Sequence, residues 1–74
     1  MPIIKVTTWE GQDDSEAREL LVELTKTTRR VTGAPLDKIS VFIEEIPKNR
    51  WAEAGSLGSD ADFPIASRRQ QEGS

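Results

Sequence analysis

The first two residues of the chain, Met1 and Pro2, could supply a reactive amine. Methionine followed by a small residue is commonly trimmed after synthesis, and its removal would leave Pro2 as the amino terminus. Its nitrogen would then be a secondary amine held rigid by its own ring. A neutral amine can take a proton beside a carbonyl and return it elsewhere, or attack a carbonyl as a nucleophile. The alternative is structural, because proline also fits the first residue of a strand.

Two further residues with chemical potential follow each other closely, since Glu53 lies two residues after Trp51 in a polar stretch. A carboxylate can accept a proton from water, and an indole can pack against a planar ligand and exclude water from it. Each residue also has a simpler interpretation. Isolated charges on loops are mostly solvated, and tryptophan often anchors a subunit interface. The residues alone leave both interpretations open.

The composition excludes several classes of function. The chain has 74 residues, a formal net charge of −3 and neither cysteine nor histidine. Disulfides are therefore excluded and the best zinc ligands are missing, so we expect no metal and no cofactor. The acidic balance argues against a nucleic-acid partner. No apolar run is long enough to span a membrane and no signal peptide precedes the first strand, so we expect a cytoplasmic protein.

The pattern of side chains predicts a strand, a helix and a second strand. Residues Pro2–Trp9 are rich in β-branched residues that alternate between two faces. A helix is expected to start at Asp13, with Glu16 placed for a capping box, and to end at Gly33. Residues Asp37–Ile46 form the second predicted strand. Such an order is typical of an α/β fold, a βαβ unit with parallel strands.

A chain this short buries only about 60% of its unfolded surface when it folds alone, so its folded state needs additional stabilisation. Because disulfides are excluded and no metal is expected, oligomerisation is the remaining source of stability. Two strands under one helix also leave both sheet edges open. A dimer would join two units into a four-stranded sheet, and further stacking would bury the face that carries Ile3 and Phe42. The remainder from Pro47 is expected to form loops or a short hairpin. We therefore expect a domain over residues 1–67 and a disordered tail over residues 68–74.

These features together resemble the tautomerase superfamily, and within it the short-chain 4-oxalocrotonate tautomerase family. The matching residues are Pro2 after Met1, the Glu10–Gly11 pair, the capped helix, the stretch GAPLDKISVFIEEIPK, and Trp51 followed by Gly55. The resemblance covers roughly residues 2–55. It implies a βαβ protomer assembled as a hexamer, a trimer of dimers. It also implies that the amino-terminal Pro2 is the catalytic group.

Two positions depart from the pattern of the family members that process dicarboxylates. Those members place one arginine directly after the Glu–Gly pair and another early in the second strand, where this chain has Gln12 and Ser40. Neutral groups thus replace a bidentate clamp on a carboxylate. The cations Lys5, Lys48 and Arg50 lie near the expected pocket but match no motif position. We take five residues near the expected pocket as candidates for substrate binding: Trp51, Trp9, Gln12, Ser40 and Arg50.

Three functional hypotheses follow from the residues and the resemblance. The first is a tautomerase that uses Pro2 as general base and acid on a small unsaturated, 2-hydroxy-dienoic or enol acid. The second is a hydratase or dehalogenase of a 3-haloacrylate-type acid, because in the similar trans-3-chloroacrylic acid dehalogenases a glutamate at the spacing of Glu53 activates water. The third is a non-catalytic subunit. The assembly can be a homo-oligomer or a hetero-oligomer with a paralogue.

Overall fold

The computed structural model describes residues 1–71, and the last three residues of the predicted tail, 72–74, lie outside this range. Strand β1 (Ile3–Trp9) and strand β2 (Ser40–Ile46) are parallel neighbours, and helix α1 (Asp14–Thr32) connects them. The register sets Ile3 opposite Ser40 at one end and Trp9 opposite Ile46 at the other. The predicted βαβ arrangement with parallel strands is therefore confirmed.

Helix α1 has the predicted limits but not the predicted capping box. Asp13 is the N-cap in extended conformation, yet its side chain makes no capping hydrogen bond. Instead its Oδ2 accepts a hydrogen bond from Ser15 Oγ at 2.6 Å, so the carboxylate is turned toward a neighbouring hydroxyl. At the other end Gly33 has φ 74°, and its N–H donates to the Arg29 carbonyl at 2.8 Å. Among residues 1–71 no helix combines the length and apolar character that crossing a bilayer requires.

The second strand begins at Ser40 rather than at Asp37 as predicted. Residues Leu36–Lys38 form a 3₁₀ turn, in which the Lys38 N–H donates to the Pro35 carbonyl at 2.9 Å. This local hydrogen bond closes a turn where the apolar pattern suggested extended chain. Ser40 is the first residue to pair, and its N–H donates to the Pro2 carbonyl at 3.0 Å. Pairing with β2 therefore starts at Pro2, one residue before β1 itself.

The two faces of this sheet differ in exposure. On β1 the residues Ile4 and Val6 are half-buried, whereas Ile3 is 65% exposed. On β2 the half-buried Val41 alternates with Phe42, which is 46% exposed. Because side chains on a strand point alternately to opposite faces, one face is covered within the chain and the other, carrying Ile3 and Phe42, is open.

The segment after β2 contains the predicted hairpin and a helical turn that was not predicted. A 3₁₀ turn at Lys48–Arg50 leads into antiparallel strands β3 (Ala52–Glu53) and β4 (Ser56–Leu57). A short helix, α2, follows at Phe63–Ala66. Beyond it Arg69 Nε donates to the Ala54 carbonyl at 3.0 Å, so the chain returns to the hairpin. The disordered tail expected over residues 68–74 remains a prediction.

Little of the described chain is shielded from solvent by its own residues. Within residues 1–71 the only buried residue is Ser56, at 4% exposure, and no apolar side chain is buried. The radius of gyration is 16.7 Å, whereas a compact chain of this length would have about 11 Å. The large apolar side chains left exposed are Met1, Ile3, Val22, Val31, Leu36, Phe42, Leu57 and Ile65. Exposed apolar side chains in this number are typical of a surface that contacts other chains.

We therefore expect the folded state to exist as an oligomer. Because an isolated protomer has no core, loss of assembly and loss of helical circular dichroism should coincide on dilution, and the thermal midpoint should rise with protein concentration. Sedimentation velocity and circular dichroism over the same concentrations measure both. Phe42→Ser should move the dissociation to higher concentration, whereas Glu45→Ser, a change of an exposed polar residue on the same strand, should not. A folded monomer at micromolar concentration would contradict the expectation.

Candidate active site

Pro2 lies at the amino end of β1, immediately before the first residue of the strand. Its side chain is half-buried, and its carbonyl accepts the Ser40 N–H at 3.0 Å. Met1, which precedes it, is 81% exposed. The nitrogen of a proline has no hydrogen to donate to a sheet, so this backbone contact fixes Pro2 without involving its nitrogen. Ser40, one of the predicted site residues, therefore contacts Pro2 through its main chain.

The other end of β1 carries an aromatic cluster of Trp9, Trp51 and Phe63. The ring centroids of Trp9 and Trp51 are 6.3 Å apart at an interplanar angle of 89°, and those of Trp9 and Phe63 are 5.4 Å apart at 61°. Both pairs have the edge-to-face geometry that aromatic quadrupoles favour. The Lys48 ammonium lies 5.0 Å from the centroid of the Trp9 ring, within the range of a cation–π contact. Trp9 is thus held from several sides.

Gly58 allows the chain to pass directly against the Trp9 ring. A Cβ atom at this position would lie 3.0 Å from Trp9 Cζ2 and 3.0 Å from the Lys48 carbonyl oxygen. The Gly58 N–H donates to the Trp51 carbonyl at 2.9 Å, which ties this close approach to the hairpin. A side chain at this position would press on the ring or the backbone, so the close approach of Gly58 depends on its lack of a Cβ atom.

A cleft of about 240 Å³ lies beside the aromatic cluster and is lined by Thr7, Thr8, Trp9, Trp51 and Glu53. Within it Glu53 Oε2 accepts a hydrogen bond from Trp51 Nε1 at 3.0 Å. The lining therefore contains two indoles, two hydroxyl groups and one carboxylate, with no lysine or arginine. Because the two indoles meet edge to face in direct contact, the open side of the cleft lies beside them and not between them.

The remaining candidates and cations lie outside this cleft. Gln12 follows Gly11, and its Oε1 is buried without a hydrogen-bond partner among residues 1–71. Arg50 is exposed, and its Nη1 donates to the Asn49 carbonyl at 3.2 Å. Lys5 forms an ion pair with Glu44 at 3.2 Å on the open face of the sheet. None of these three residues lines the cleft.

The predicted site residues form two groups at opposite ends of β1. Pro2 and Ser40 lie at the start of the strand, whereas Trp9, Trp51 and Glu53 lie at its end. At about 3.3 Å per residue, the strand separates Pro2 from Trp9 by roughly 23 Å. A small acid cannot touch both groups within one protomer, so a single chain does not bring all the candidates together.

The sequence did not indicate Thr7, Gly58 or Phe63 as neighbours of the site. Thr7 belongs to the alternating pattern of a strand, which predicts its face but not a cleft beside it. Phe63 lies in a polar stretch with no periodicity, so nothing in the pattern placed it against Trp9. Gly58 lies in the Gly- and Ser-rich stretch GSLGSD, where a glycine indicates a turn, so the pattern did not indicate its close approach to Trp9.

The contact of Gly58 with Trp9 leads to a test of the aromatic cluster. Gly58→Ala should destabilise the fold by about 1–3 kcal/mol, the usual effect of overpacking, and should change the tryptophan fluorescence because the Trp9 ring is displaced. Gly33→Ala is the matched control: its backbone conformation also disfavours alanine, but no aromatic ring lies nearby. It should lower the thermal midpoint and leave the fluorescence unchanged. Identical spectra for both variants would show that Gly58 does not constrain Trp9.

Comparison with known proteins connects this arrangement to a family. The model of the tautomerase enzyme family matches residues 2–61. A Staphylococcus haemolyticus protein named "probable tautomerase" is 42% identical over 62 residues, covering 84% of this chain and 100% of its own length. The 2-hydroxymuconate tautomerase of Bacillus subtilis is 40% identical over the same length and with the same coverage.

Solved structures agree with these sequence matches. YwhB, a homologue of 4-oxalocrotonate tautomerase, is 41% identical with a TM-score of 0.76, and the match covers 80% of this chain and 97% of YwhB. TomN, a 4-oxalocrotonate tautomerase homologue in the tomaymycin biosynthetic pathway, is 33% identical with a TM-score of 0.75, covering 78% and 89% of the two chains. The resemblance carried by Pro2, Glu10–Gly11 and the βαβ order is thereby confirmed, and the chain belongs to the tautomerase family.

Proposed function

We propose that this protein is an isomerase whose Pro2, exposed as the amino terminus by removal of Met1, interconverts the keto and enol forms of a small unsaturated, 2-hydroxy-dienoic or enol acid. The observation that carries the proposal is the placement of Pro2. Its carbonyl is fixed by Ser40 at 3.0 Å, its nitrogen has no role in the sheet, and the preceding Met1 is 81% exposed. The tautomerase relatives support the same reaction class.

The proposed chemistry needs a neutral amine. An α-amino group titrates near pH 8, and removal from water lowers the pKa of an amine because the charged form loses its hydration. The neutral Pro2 nitrogen takes the proton from the enol hydroxyl of the substrate. The resulting ammonium returns a proton to a carbon of the same molecule, which regenerates the amine. No cofactor is required for this exchange.

We infer that the site is completed between chains. Pro2 and Thr7, the first residue of β1 that lines the cleft, lie roughly 17 Å apart along the strand, so the cleft that receives the substrate of one Pro2 belongs to a neighbour. The exposed Ile3 and Phe42 lie on the open sheet face, close to Pro2, and support a contact between subunits there. A hexamer built from dimers with four-stranded sheets accommodates this contact. We further propose a cytoplasmic location.

The other two hypotheses have less support. A hydratase or dehalogenase would need Glu53 to accept a proton from water, and the hydrogen bond that its Oε2 accepts from the Trp51 indole at 3.0 Å neither requires nor prevents that role. A non-catalytic subunit would not need an accessible amino terminus at Pro2. The relatives described above are named as tautomerases or as homologues of one, and they favour neither alternative.

The role of Pro2 is tested directly by Pro2→Ala. The variant keeps a terminal amine but changes its basicity and its freedom to rotate. We expect the fold to be retained and the tautomerisation of phenylenolpyruvate to fall by about 10²–10⁴-fold, the range of general acid–base catalysis. Pro35→Ala, at an exposed proline before the 3₁₀ turn, should retain activity. Full activity of Pro2→Ala, or an intact mass that includes Met1 in active protein, would refute the proposal.

The shared site is tested by subunit complementation. Pro2→Ala and Trp51→Ala should each be nearly inactive, since the first lacks the base and the second lacks one wall of the cleft. After dissociation and reassembly as a mixture in equal amounts, about one quarter of the sites should pair an intact Pro2 with an intact cleft, because each site draws on two symmetry-related chains. Activity should reappear to that extent. If each site lay within one chain, every site would remain defective and no activity would return.

A further inference from the structure

We infer that Arg69 is a positioning residue for the cleft, because its guanidinium fixes the turn of the β3–β4 hairpin and thereby the placement of Glu53. The inference rests on the proposed function, in which this cleft receives the substrate bound at Pro2 of a neighbouring chain. The match to the family model ends at residue 61, so Arg69 belongs to a segment that the family pattern does not cover. Arg69 does not itself line the cleft and acts on it through the hairpin.

The hairpin has few interactions of its own to hold it in place. Its strands pair only Ala52 with Leu57 and Glu53 with Ser56. An isolated two-stranded hairpin is at best marginally stable in water, and this one is very short. Residues 52–55 are all exposed, so packing within the protomer does not fix the turn either. The placement of Glu53 therefore depends on contacts from outside the hairpin.

The turn between the two strands holds an alanine in a backbone conformation that alanine disfavours. Ala54 has φ 53° and Gly55 has φ 77°, and among residues 1–71 Ala54 is the only non-glycine residue with positive φ. Two successive residues with positive φ are typical of a tight hairpin turn, whose preferred pair is Asn-Gly. Alanine lacks the polar side chain that lets asparagine adopt this conformation. The observed turn therefore needs a contact that selects it.

Arg69 supplies such a contact to both residues of the turn. Its Nε donates to the Ala54 carbonyl at 3.0 Å, across a separation of 15 residues in the chain. Its Nη2 lies 3.4 Å from the point that a Cβ atom of Gly55 would occupy. Arg69 is half-buried in this position, whereas the neighbouring Arg68 is exposed. Hydrogen bonds from a charged donor are stronger than neutral ones, so this contact favours the observed conformation of Ala54.

The segment that carries Arg69 is itself anchored beside the cleft. The Phe63 N–H donates to the Asp60 carbonyl at 3.1 Å, and the Phe63 ring lies 5.4 Å from the Trp9 ring. Helix α2 follows directly, and Arg69 comes after its end. One short segment thus contacts the indole at one side of the cleft and the turn next to Glu53 at the other. It therefore fixes the two sides relative to each other.

The inference is tested by Arg69→Gln, with Arg68→Gln as the matched control for the lost charge. Arg69→Gln should raise KM for phenylenolpyruvate by about 3–10-fold, the usual effect of one lost hydrogen bond. It should leave kcat nearly unchanged, because the base Pro2 is intact and only binding is weakened. Hydrogen–deuterium exchange of residues 51–58 should become faster in the same variant, while exchange of α1 should not change. Arg68→Gln should alter neither KM nor exchange.

A second substitution tests whether Arg69 acts through the turn. Ala54→Asn creates the Asn-Gly pair that this turn prefers, so the turn should form without help from Arg69. Arg69→Gln combined with Ala54→Asn should therefore recover most of the lost affinity and slow the exchange again. Arg69→Lys keeps the charge and a donor, and it should raise KM less than Arg69→Gln. If sedimentation shows that Arg69→Gln does not assemble, the same two measurements on Arg69→Lys with and without Ala54→Asn decide the question.

The outcomes separate this inference from the proposed function. If the wild type does not turn over phenylenolpyruvate, or Pro2→Ala is equally active, the proposed function fails and the effect on substrate binding fails with it. Exchange still decides in that case whether Arg69 fixes the hairpin. If turnover depends on Pro2 but Arg69→Gln leaves KM or exchange unchanged, the proposed function stands and the inference is wrong. An equal effect of Arg68→Gln, a fall in kcat at constant KM, or no recovery with Ala54→Asn would overturn it too.

Discussion

The parallel register of β1 and β2 is the constraint on which the rest of this structure depends. It sets Ile3 opposite Ser40 and lets the Ser40 N–H bind the Pro2 carbonyl at 3.0 Å. A slip of one residue would turn every side chain of the strand to the other face. The same register therefore decides that Ile4 and Val6 are half-buried within the chain, that Ile3 and Phe42 face outward, and where the amino terminus is presented.

The far end of the same strand is organised by aromatic packing. Trp9 ends β1, and the hairpin, the Lys48 turn and α2 all reach it through Trp51, Gly58, Lys48 and Phe63. These later segments have little packing of their own, since β3 and β4 have only two residues each and α2 has four. The hairpin, the Lys48 turn and α2 therefore all pack against the Trp9 indole. The same indole forms one wall of the cleft.

The sequence predicted the regular elements because their causes are local. Alternating β-branched residues define β1, and Gly33 with φ 74° ends α1 as its position after the apolar stripe indicated. The two wrong predictions, the capping box and the start of the second strand, also have local causes. Asp13 bonds to Ser15 instead of to the helix backbone, and the apolar Leu36 belongs to a turn closed by Pro35 and Lys38.

The sequence indicated the candidate residues by their type, but it did not indicate which residues of distant segments lie beside them. Pro2, Trp51 and Glu53 were recognisable from residue type and from resemblance. Trp51 and Glu53 lie two residues apart at the start of β3, and this spacing places their side chains on the same side of the chain, where they form a hydrogen bond. The distance of Trp9 from Pro2 follows from the length of β1 alone. By contrast, the contacts of Trp9 with Phe63 and Gly58 join segments far apart in the chain with no repeating pattern. No local rule could place them.

The separation of Pro2 from Trp9 by the whole length of β1 has a consequence for how such a protein evolves. Under the proposed function, a substitution around the indoles would alter what is recognised, while Pro2 of the same polypeptide lies roughly 23 Å away. Natural selection can therefore diversify one end of the strand and conserve the other. On the same proposal, one copy would be free after a gene duplication to adapt its indole corner to a new molecule, while its Pro2 would continue to act in the site of an unchanged neighbour.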